Sequence, residues 1–419
     1  MRQQVDVPKE ALKARRDEVL RRVQQEKRRK KCLMMTSTII TTAMMLFIFS
    51  VRLSPTFAGY VAKIPGFAPI VEMIAYDKGM RDVVKNDYFE ELGVVVKENQ
   101  LTVTLVGVTA DYSGMVLSYE VDAPFDLSKL ETKKVDILQD GEHLQAAYTY
   151  SWYEDEPTQH IEQVINVTAS EPFQYDVRDF ELIFYFDDVQ ETVVHVPFTL
   201  ENPIKESKVI ELNKDVVVEG QRFTVEKLSI SPLRTVLDIH IDEANTMQIL
   251  ALDDLQLLDE HGEDWTSIQN GFVGMGHIRD GRYALHMQSN YFRAPKNLTL
   301  IIGEVIALPK GQDYIEVDFM KEQVVYQPAL VDWQIDVVGK QISITGDTWQ
   351  DGGRQLLLRA FDQQGNMSYP TSSTWSSRGE DGFETSEQYD EVMSLTPVKI
   401  EISYYPHLIG ENVEIPILK

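Results

Sequence analysis

The sequence predicts a mainly β protein with a single N-terminal transmembrane helix, short juxtamembrane helices and then β-sandwich domains in series. Three observations support this prediction. Residues 32–51 carry no charged side chain, residues after Gly93 alternate between apolar and polar with a period of two, and the strand patterns recur along the chain. The first observation predicts a membrane span, and the other two predict a long β-rich region after it.

The uncharged segment Cys32–Val51 has the length of a membrane-spanning helix. At about 1.5 Å per residue it extends about 30 Å, which is the thickness of the hydrocarbon core of a bilayer. A cleaved signal peptide is the alternative, but its apolar core is shorter and lies nearer the N-terminus. We therefore predict an uncleaved anchor over residues 32–51, preceded by a cytoplasmic basic segment over residues 1–31.

Charge predicts the orientation of the span. Residues 1–31 contain 12 Lys/Arg and 5 Asp/Glu, a net charge of +7, whereas the whole chain carries −26, so −33 lies beyond residue 31. Basic residues beside a span stay on the cytoplasmic side. We predict a single-pass protein of the cell membrane with a cytoplasmic N-terminus and with the bulk of the chain extracellular.

The acidic exterior region excludes nucleic acid as a partner, because phosphate backbones repel it. Two explanations of the acidity remain, namely solubility and the binding of cations or cationic ligands. The sequence contains one cysteine, Cys32, at the inner edge of the span. The exterior region therefore forms no disulfide and depends on core burial for its stability.

Residues 52–92 form the predicted juxtamembrane segment. Apolar residues recur there at spacings of three and four among charges, as in one or two short amphipathic helices broken near Gly79. We predict a first β-sandwich domain over residues 93–205, a second over 206–330, and a third, partial β domain over 331–419.

Repeated strand patterns underlie these domains. Leu101–Val108 aligns with Phe223–Ile230, and the turn at Asp140-Gly141 aligns with the turn at Gly262. Short strands in repeats of this length, without βαβ alternation, are typical of immunoglobulin-like sandwiches. Each domain is expected to close with one strand pair: 180–184 with 192–198, 298–302 with 314–319, and 399–404 with 413–417. Residues 363–395, rich in Ser, Thr, Gly and acids, are expected to form a mobile loop.

The sequence contains no recognisable catalytic motif. A Gly-x-Ser-x-Gly elbow, a His-Glu-x-x-His zinc helix and a phosphate loop are all missing from it. The adjacent acids Asp187-Asp188 and Asp253-Asp254 project to opposite faces of a strand, so we expect solvated charges rather than a glycosidase pair. The acidic stretch 259–264 lacks EF-hand spacing, which favours a hairpin turn. We predict no enzyme activity, no cofactor and no metal site.

The cytoplasmic segment contains one apolar stripe. In a helix that starts near Pro8, Leu12, Val19 and Val23 lie on one face, with Leu20 beside them. Arg16 interrupts this stripe. Two interpretations remain: a basic helix that sets the topology and contacts membrane lipid, and a docking face for a cytoplasmic protein.

The stretch Arg52–Gly66, RLSPTFAGYVAKIPG, and residues 66–84, GFAPIVEMIAYDKGMRDVV, together with the β-rich repeats, resemble a family of Gram-positive single-pass membrane proteins. Its members carry a juxtamembrane domain of unknown function and immunoglobulin-like exterior domains. The resemblance implies an anti-sigma-factor-like role, in which the inner segment restrains an extracytoplasmic-function sigma factor. An inner segment of 31 residues is shorter than the usual anti-sigma helical bundle.

Two functional hypotheses follow. In the first, the chain transmits an envelope signal to a cytoplasmic sigma factor. In the second, it is a non-enzymatic surface, structural or adhesive protein anchored by its N-terminal span. A sigma-factor gene immediately upstream would favour the first hypothesis.

Overall fold

The computed structural model describes residues 77–150, 156–169, 171–266, 273–275, 277–346, 354–377, 382–392 and 397–418. The chain divides into two compact units, residues 1–67 and 68–419, and the described residues all belong to the second. In them the chain is mainly β, with small sheets in series and one α-helix, α1, at Lys78–Lys85. The prediction of a mainly β protein is confirmed.

The first β-module surrounds one hydrophobic core. Its two sheets have the strand orders β1-β2-β3-β7-β6 and β5-β4-β8-β9. Within β2, Leu101, Val103 and Leu105 are buried, which confirms the predicted period of two. The strands are β1 (Glu90–Glu98), β2 (Leu101–Asp111), β3 (Gly114–Asp122), β4 (Thr132–Gln139), β5 (Glu142–His143), β6 (Ala146–Tyr150), β7 (His160–Ala169), β8 (Asp179–Phe186) and β9 (Val193–Thr199).

Two sequence predictions are confirmed within the first β-module. Asp140 and Gly141 have φ values of 52° and 79°, as a tight hairpin turn requires, and Gln139 pairs with Glu142 across it. Strands β8 and β9 pair in antiparallel fashion, as predicted for residues 180–184 and 192–198.

The second β-module repeats the first. Its larger sheet has the order β10-β11-β12-β15-β14, and the register of β10 against β11 shifts at an equivalent point to that of β1 against β2. A smaller sheet, β13-β16-β26, covers the other side of its core. The strands are β10 (Lys208–Val218), β11 (Gln221–Ile230), β12 (Arg234–Ile241), β13 (Met247–Asp259), β14 (Val273–Met275), β15 (Arg282–Gln288), β16 (Leu298–Pro309) and, from the end of the chain, β26 (Leu408–Leu418).

The third β-module lies between β16 and β26 in the sequence. Its sheets have the orders β18-β17-β25-β21-β22 and β19-β20-β24-β23. The strands are β17 (Tyr314–Asp318), β18 (Gln323–Tyr326), β19 (Gln334–Val338), β20 (Gln341–Gly346), β21 (Leu357–Phe361), β22 (Met367–Ser368), β23 (Ser372–Ser377), β24 (Phe383–Gln388) and β25 (Val398–Ile402).

Strands β13 and β16 contribute to two cores at once. Most of their buried residues face the core of the second β-module, but Leu250, Ile306 and Leu308 pack in that of the third. The two strands pair from Met247–Pro309 to Asp259–Leu298. The second and third β-modules are therefore joined by continuous, doubly buried strands.

Two predicted strand pairs are wrong. Strand β17 pairs with β18 and β25 rather than with residues 298–302, and β26 pairs with β16 rather than with residues 399–404. Burial explains both differences, because Ile315 and Val317 of β17 fill the third core whereas Ile415 and Ile417 of β26 fill the second.

The prediction of a mobile loop at residues 363–395 is also wrong. Much of it forms β22, β23 and β24, and β24 pairs with β20. Phe383, Thr385 and Glu387 alternate with less buried neighbours, so β24 has one face in the core. The composition rich in Ser, Thr and acids concealed this period.

No helix in the described part of the chain is long and apolar enough to cross a membrane. The predicted span Cys32–Val51 lies outside the described residues.

We expect Ile415→Ala to destabilise the second β-module. Ile415 is buried in that core, and truncation of a buried isoleucine costs about 2–5 kcal/mol. Hydrogen exchange followed by mass spectrometry should show lost protection in peptides that cover β16. Val338→Ala, at a position 69% exposed, is the control and should leave exchange unchanged. Loss confined to β17–β25 would contradict the assignment of β26 to the second core.

Candidate functional site

Helix α1 depends on polar side chains at both ends. The Asp77 carboxylate accepts a hydrogen bond from the Met80 backbone N–H at 3.0 Å, as an N-cap does. At the other end, the Asn86 side-chain amide donates to the Asp82 carbonyl at 2.7 Å. Met80 and Val83 are fully buried. Because a helix of 8 residues is marginal alone, this burial and the caps are what stabilise it.

Three charge pairs dock α1 onto the second β-module. In addition to capping α1, Asp77 forms an ion pair: its other carboxylate oxygen lies 3.2 Å from the Arg234 guanidinium, and both side chains are largely buried. Removing one partner of such a buried pair costs about 3–5 kcal/mol. The pairs are Asp77–Arg234, Lys78–Glu263 at 3.0 Å, and Asp82–Arg293.

Lys78 makes further contacts with the second β-module. Its backbone N–H donates to the Gln288 side chain at 2.9 Å, and its ammonium group donates to the Asp264 carbonyl and lies 4.7 Å from the centre of the Trp265 ring. Trp265 is buried in the second core. The start of α1 is thus held against a rigid aromatic group.

Gly79 permits this close approach. A Cβ atom at this position would lie 2.8 Å from the backbone nitrogen of Ser289 and 3.0 Å from its Cβ. Ser289 is itself fixed, because its hydroxyl donates to the Ser231 carbonyl. A larger residue at position 79 therefore requires α1 to move away.

The first and second β-modules meet through polar contacts beside α1. Asp111 of β2 is fully buried and accepts hydrogen bonds from the Leu233 backbone N–H at 2.5 Å and from Ser113. Burial raises the pKa of Asp111, and its hydrogen bonds to Ser113 and Leu233 oppose this effect. Tyr88, after α1, donates to the Ala110 carbonyl at 2.7 Å. Helix α1 is therefore tied to both modules.

A cleft of about 450 Å³ opens between these two β-modules. The first module contributes Glu171, the connecting segment Glu206, and the second module Lys227 and Asp238. The Lys227 ammonium group lies 3.6 Å from the Asp238 carboxylate. Burial raises the pKa of Asp238, and Lys227 partly opposes that shift. Four serine residues also line the cleft: Ser113, Ser207, Ser229 and Ser231.

His286 lies on the wall of the cleft. It is 3% exposed, and burial, with a smaller effect of Arg234, lowers its pKa to about 4. The imidazole is therefore neutral at pH 7. Its Nδ1 is buried and has no hydrogen-bond partner within the described residues. A buried polar atom without a partner costs about 1–3 kcal/mol.

A second polar group lies on the first β-module. The His160 ring contacts Asp122 at 2.8 Å and Glu162 at 3.2 Å, and Glu120 faces Glu162 across β3 and β7. Burial lowers the pKa of His160, but these carboxylates outweigh it and raise the pKa overall. His160, Glu120 and Glu162 offer ligand atoms within 4.8 Å of one another. Imidazole and carboxylate groups are of the type that zinc takes, and in this structure the contacts of His160 are with Asp122 and Glu162.

The acids predicted to be solvated differ in their exposure, because Asp187 and Asp254 are exposed whereas Asp188 and Asp253 are partly buried. Asp188 accepts hydrogen bonds from the backbone N–H and the hydroxyl of Thr192, and Asp187 pairs with Lys133. One guanidinium nitrogen of Arg354 donates to both carboxylate oxygens of Asp253, at 2.9 and 2.8 Å.

In the acidic turn 259–264, which was predicted to be a hairpin turn, a side chain accepts hydrogen bonds from the backbone of the turn itself. Asp259 accepts hydrogen bonds from the His261 and Glu263 backbone N–H groups and from the Trp265 indole. The predicted partner-binding residues Leu12, Val19, Leu20 and Val23 lie outside the described residues.

The docking site of α1 and the cleft are features that the sequence did not predict. Their members come from β2, β10–β12, β15 and the connecting segments, which are up to 211 residues apart in the chain. The alternating charges around Gly79 indicated an amphipathic helix, but they did not indicate which part of the chain the helix packs against.

We expect stability to depend on pH through His286. The unfolded imidazole has a pKa of about 6.5, and the folded one about 4, so the unfolded state binds more protons between these values. The free energy of unfolding should therefore decrease by about 3 kcal/mol as the pH drops from 6.5 to 4. Denaturant unfolding of His286→Asn at several pH values should show a smaller loss.

Glu387 provides the control of opposite sign. Burial raises its pKa to about 7, although hydrogen bonds from Leu357 and Leu356 oppose the shift. The folded state then retains a proton that the unfolded state releases, so this group stabilises the fold below pH 7 and the stabilisation is lost as pH rises towards 7. Glu387→Gln should therefore steepen the loss of stability at low pH. Parallel pH profiles for both variants would contradict these assignments.

We expect Gly79→Ala to undock α1. The added Cβ meets backbone atoms of Ser289, which cannot yield, and this outweighs the gain of about 1 kcal/mol in helix propensity. Hydrogen exchange of residues 78–85 should become faster. Gly220→Ala, in a turn at a φ of 78° with open space around it, is the control and should leave exchange in α1 unchanged. Unchanged protection in Gly79→Ala would mean that the close approach is not needed.

Similar proteins give no established function. Residues 27–123 match a domain of unknown function (DUF4179), and residues 207–337 match a family of unknown function (DUF5643). No curated protein matches the chain at a significant level.

Two solved structures show a distant similarity. A conserved domain protein from Bacillus anthracis is 12% identical, with 78% of this chain and 91% of that chain covered and a TM-score of 0.38. A cycloalternan-forming enzyme from Listeria monocytogenes is 11% identical, with coverage of 70% and 29% and a TM-score of 0.15. Scores this low support no statement about fold or function. The chain is thus similar to two domain families of unknown function, one over residues 27–123, which ends just after β3, and one over residues 207–337, which extends into β19.

Proposed function

We propose that this chain is a membrane-anchored, envelope-sensing regulator that acts like an anti-sigma factor and transmits an extracellular signal to a cytoplasmic sigma factor. The observation that carries the proposal is the docking of α1. This helix begins 27 residues after Val51, the last residue of the predicted span, and is held by the second β-module through Asp77–Arg234, Lys78–Glu263 and Asp82–Arg293.

The docking supports a transmitting role because of where α1 stands in the chain. Tyr88, which follows α1, contacts the first β-module, whereas Asp77 and Lys78 contact the second. Any change in the arrangement of the two modules must therefore move α1 or break its charge pairs. A simple adhesive stalk has no need to fasten its membrane-proximal helix to a module that begins more than 120 residues later.

The type of β-sandwich and the membrane topology are also part of this proposal. We infer that each β-module is an immunoglobulin-like sandwich, since two sheets enclose one core in each. We also infer a single-pass protein of a Gram-positive cell membrane, with residues 1–31 in the cytoplasm. The apolar length of Cys32–Val51 and the basic residues before it support this orientation.

The cytoplasmic stripe would hold the sigma factor. Burying an aliphatic side chain contributes about 1.5–3 kcal/mol, so Leu12, Val19, Leu20 and Val23 can give useful affinity only after the cost of association and helix ordering is offset. Basic neighbours would attract an acidic partner surface. Several copies in one membrane would raise the effective concentration of the segment.

We expect Leu12→Asp together with Val19→Asp to release the sigma factor. The two carboxylates would break the apolar face, so a reporter driven by the promoter of the neighbouring sigma factor should rise and a pull-down with residues 1–31 should fail. Ala14→Asp with Gln25→Asp is the matched control, because it adds the same charge on the face of the helix opposite the stripe.

The result also decides between the two hypotheses. If the stripe variant and its control leave both binding and reporter unchanged, residues 1–31 serve only as an anchor. The chain is then a surface or adhesive protein.

A further inference from the structure

We propose that Glu120, His160 and Glu162 bind one zinc ion on the outer face of the first β-module. The site goes beyond the regulatory role, because zinc binding can be measured on the purified chain without any sigma factor. Three observations support it: the side chains that the sheet brings together, the orientation of the imidazole ring and one carboxylate without a partner.

The pairing of β3 with β7 brings the ligands to one face of the sheet. Glu120 lies directly opposite Glu162. Asp122 lies opposite His160 in the same register. Val121, between the two acids of β3, is buried in the first core, so the alternation of side chains directs its polar neighbours to the other face. The two strands thus present an imidazole and three carboxylates side by side.

The distances and the donor atoms suit zinc. One ligand atom each of Glu120, His160 and Glu162 lies within 4.8 Å of the other two. Two ligands of a tetrahedral zinc ion lie about 3.4 Å apart, so small rotations of these half-buried or exposed side chains close the set around one ion. Calcium and magnesium prefer oxygen ligands alone, whereas an imidazole nitrogen suits zinc. Water would take the fourth position, on the solvent side.

Asp122 orients the imidazole for this role. The Nδ1 atom of His160 lies 2.8 Å from the Asp122 carboxylate, and Nε2 lies 3.2 Å from the Glu162 carboxylate. A neutral imidazole has one N–H and one lone pair, so a ring that donates to Asp122 points the lone pair of Nε2 at an anionic oxygen. These two atoms attract each other only through a proton or a metal ion held between them. Histidines that bind metals almost always donate their other N–H to a group such as a carboxylate.

Glu120 is the independent indication of a cation. Its carboxylate is half-buried, and it makes no hydrogen bond and no ion pair with any residue that the structure describes. It faces Glu162 directly across the strands, and like charges in this position destabilise a sheet. By contrast, the acids that dock α1, Asp77 and Asp82, each have an arginine partner. A divalent ion between the two glutamates replaces their repulsion with two attractive contacts.

Titration calorimetry with zinc chloride tests the proposal on the full chain, prepared in detergent micelles without a polyhistidine tag. We expect one zinc ion to bind per chain, and about a tenfold excess of calcium chloride should not displace it, because calcium does not select an imidazole ligand. Hydrogen exchange should become slower in peptides that cover β3 and β7, since the ion joins these two strands in the folded chain.

Variants locate the ion. His160→Gln removes the nitrogen ligand and should weaken zinc binding more than about 100-fold, whereas Asp122→Asn removes the orienting carboxylate and should weaken it about 10–100-fold. His195→Gln is the matched control, because His195 is similarly exposed in the same β-module and lies 3.3 Å from a single carboxylate, that of Glu181. This control should bind zinc as the original chain does.

Four outcomes would overturn the proposal. They are the absence of saturable zinc binding, displacement of zinc by calcium, equal affinity in His160→Gln and the original chain, and an equal loss of affinity in His160→Gln and His195→Gln.

Discussion

The docking of α1 on the second β-module depends on one carboxylate. Asp77 starts α1 through its hydrogen bond with Met80 and fastens the helix to the second β-module through Arg234. A helix of 8 residues does not persist alone. Asp77 therefore both stabilises α1 and fixes its position on the second β-module. Folding of α1 is therefore coupled to the presence of the second β-module, which the chain completes only with its final strand, β26.

The two joints between modules differ in their physical character. The second and third β-modules share β13 and β16, whose side chains fill both cores, so relative motion there would expose apolar surface. The first and second are joined by Asp111 and by the contacts of α1, and a cleft opens between them. Polar joints exchange their hydrogen bonds with water at little net cost. Relative motion of neighbouring modules is therefore easier at the first joint than at the second.

Local patterns predicted the strands well and their partners less well. The alternation at Leu101–Leu105 and the Asp140-Gly141 turn are local, and both are confirmed. The loop predicted at 363–395 was wrong, because polar residues such as Thr385 occupy a buried face of β24. The candidate site was beyond prediction, since its charge pairs join residues about 157–211 positions apart and no local period records such a contact.

The return of the chain to β16 bears on how this architecture arose. The third β-module begins after Pro309 and ends before Leu408, and at this point the Ala307 backbone N–H donates to the His407 carbonyl at 3.1 Å. Its entry and exit thus lie side by side, as they do where one domain has been inserted into a surface hairpin of another. Residues between these two points form a cassette that evolution could exchange, while β16 and β26 would still close the core of the second β-module, on which α1 is docked.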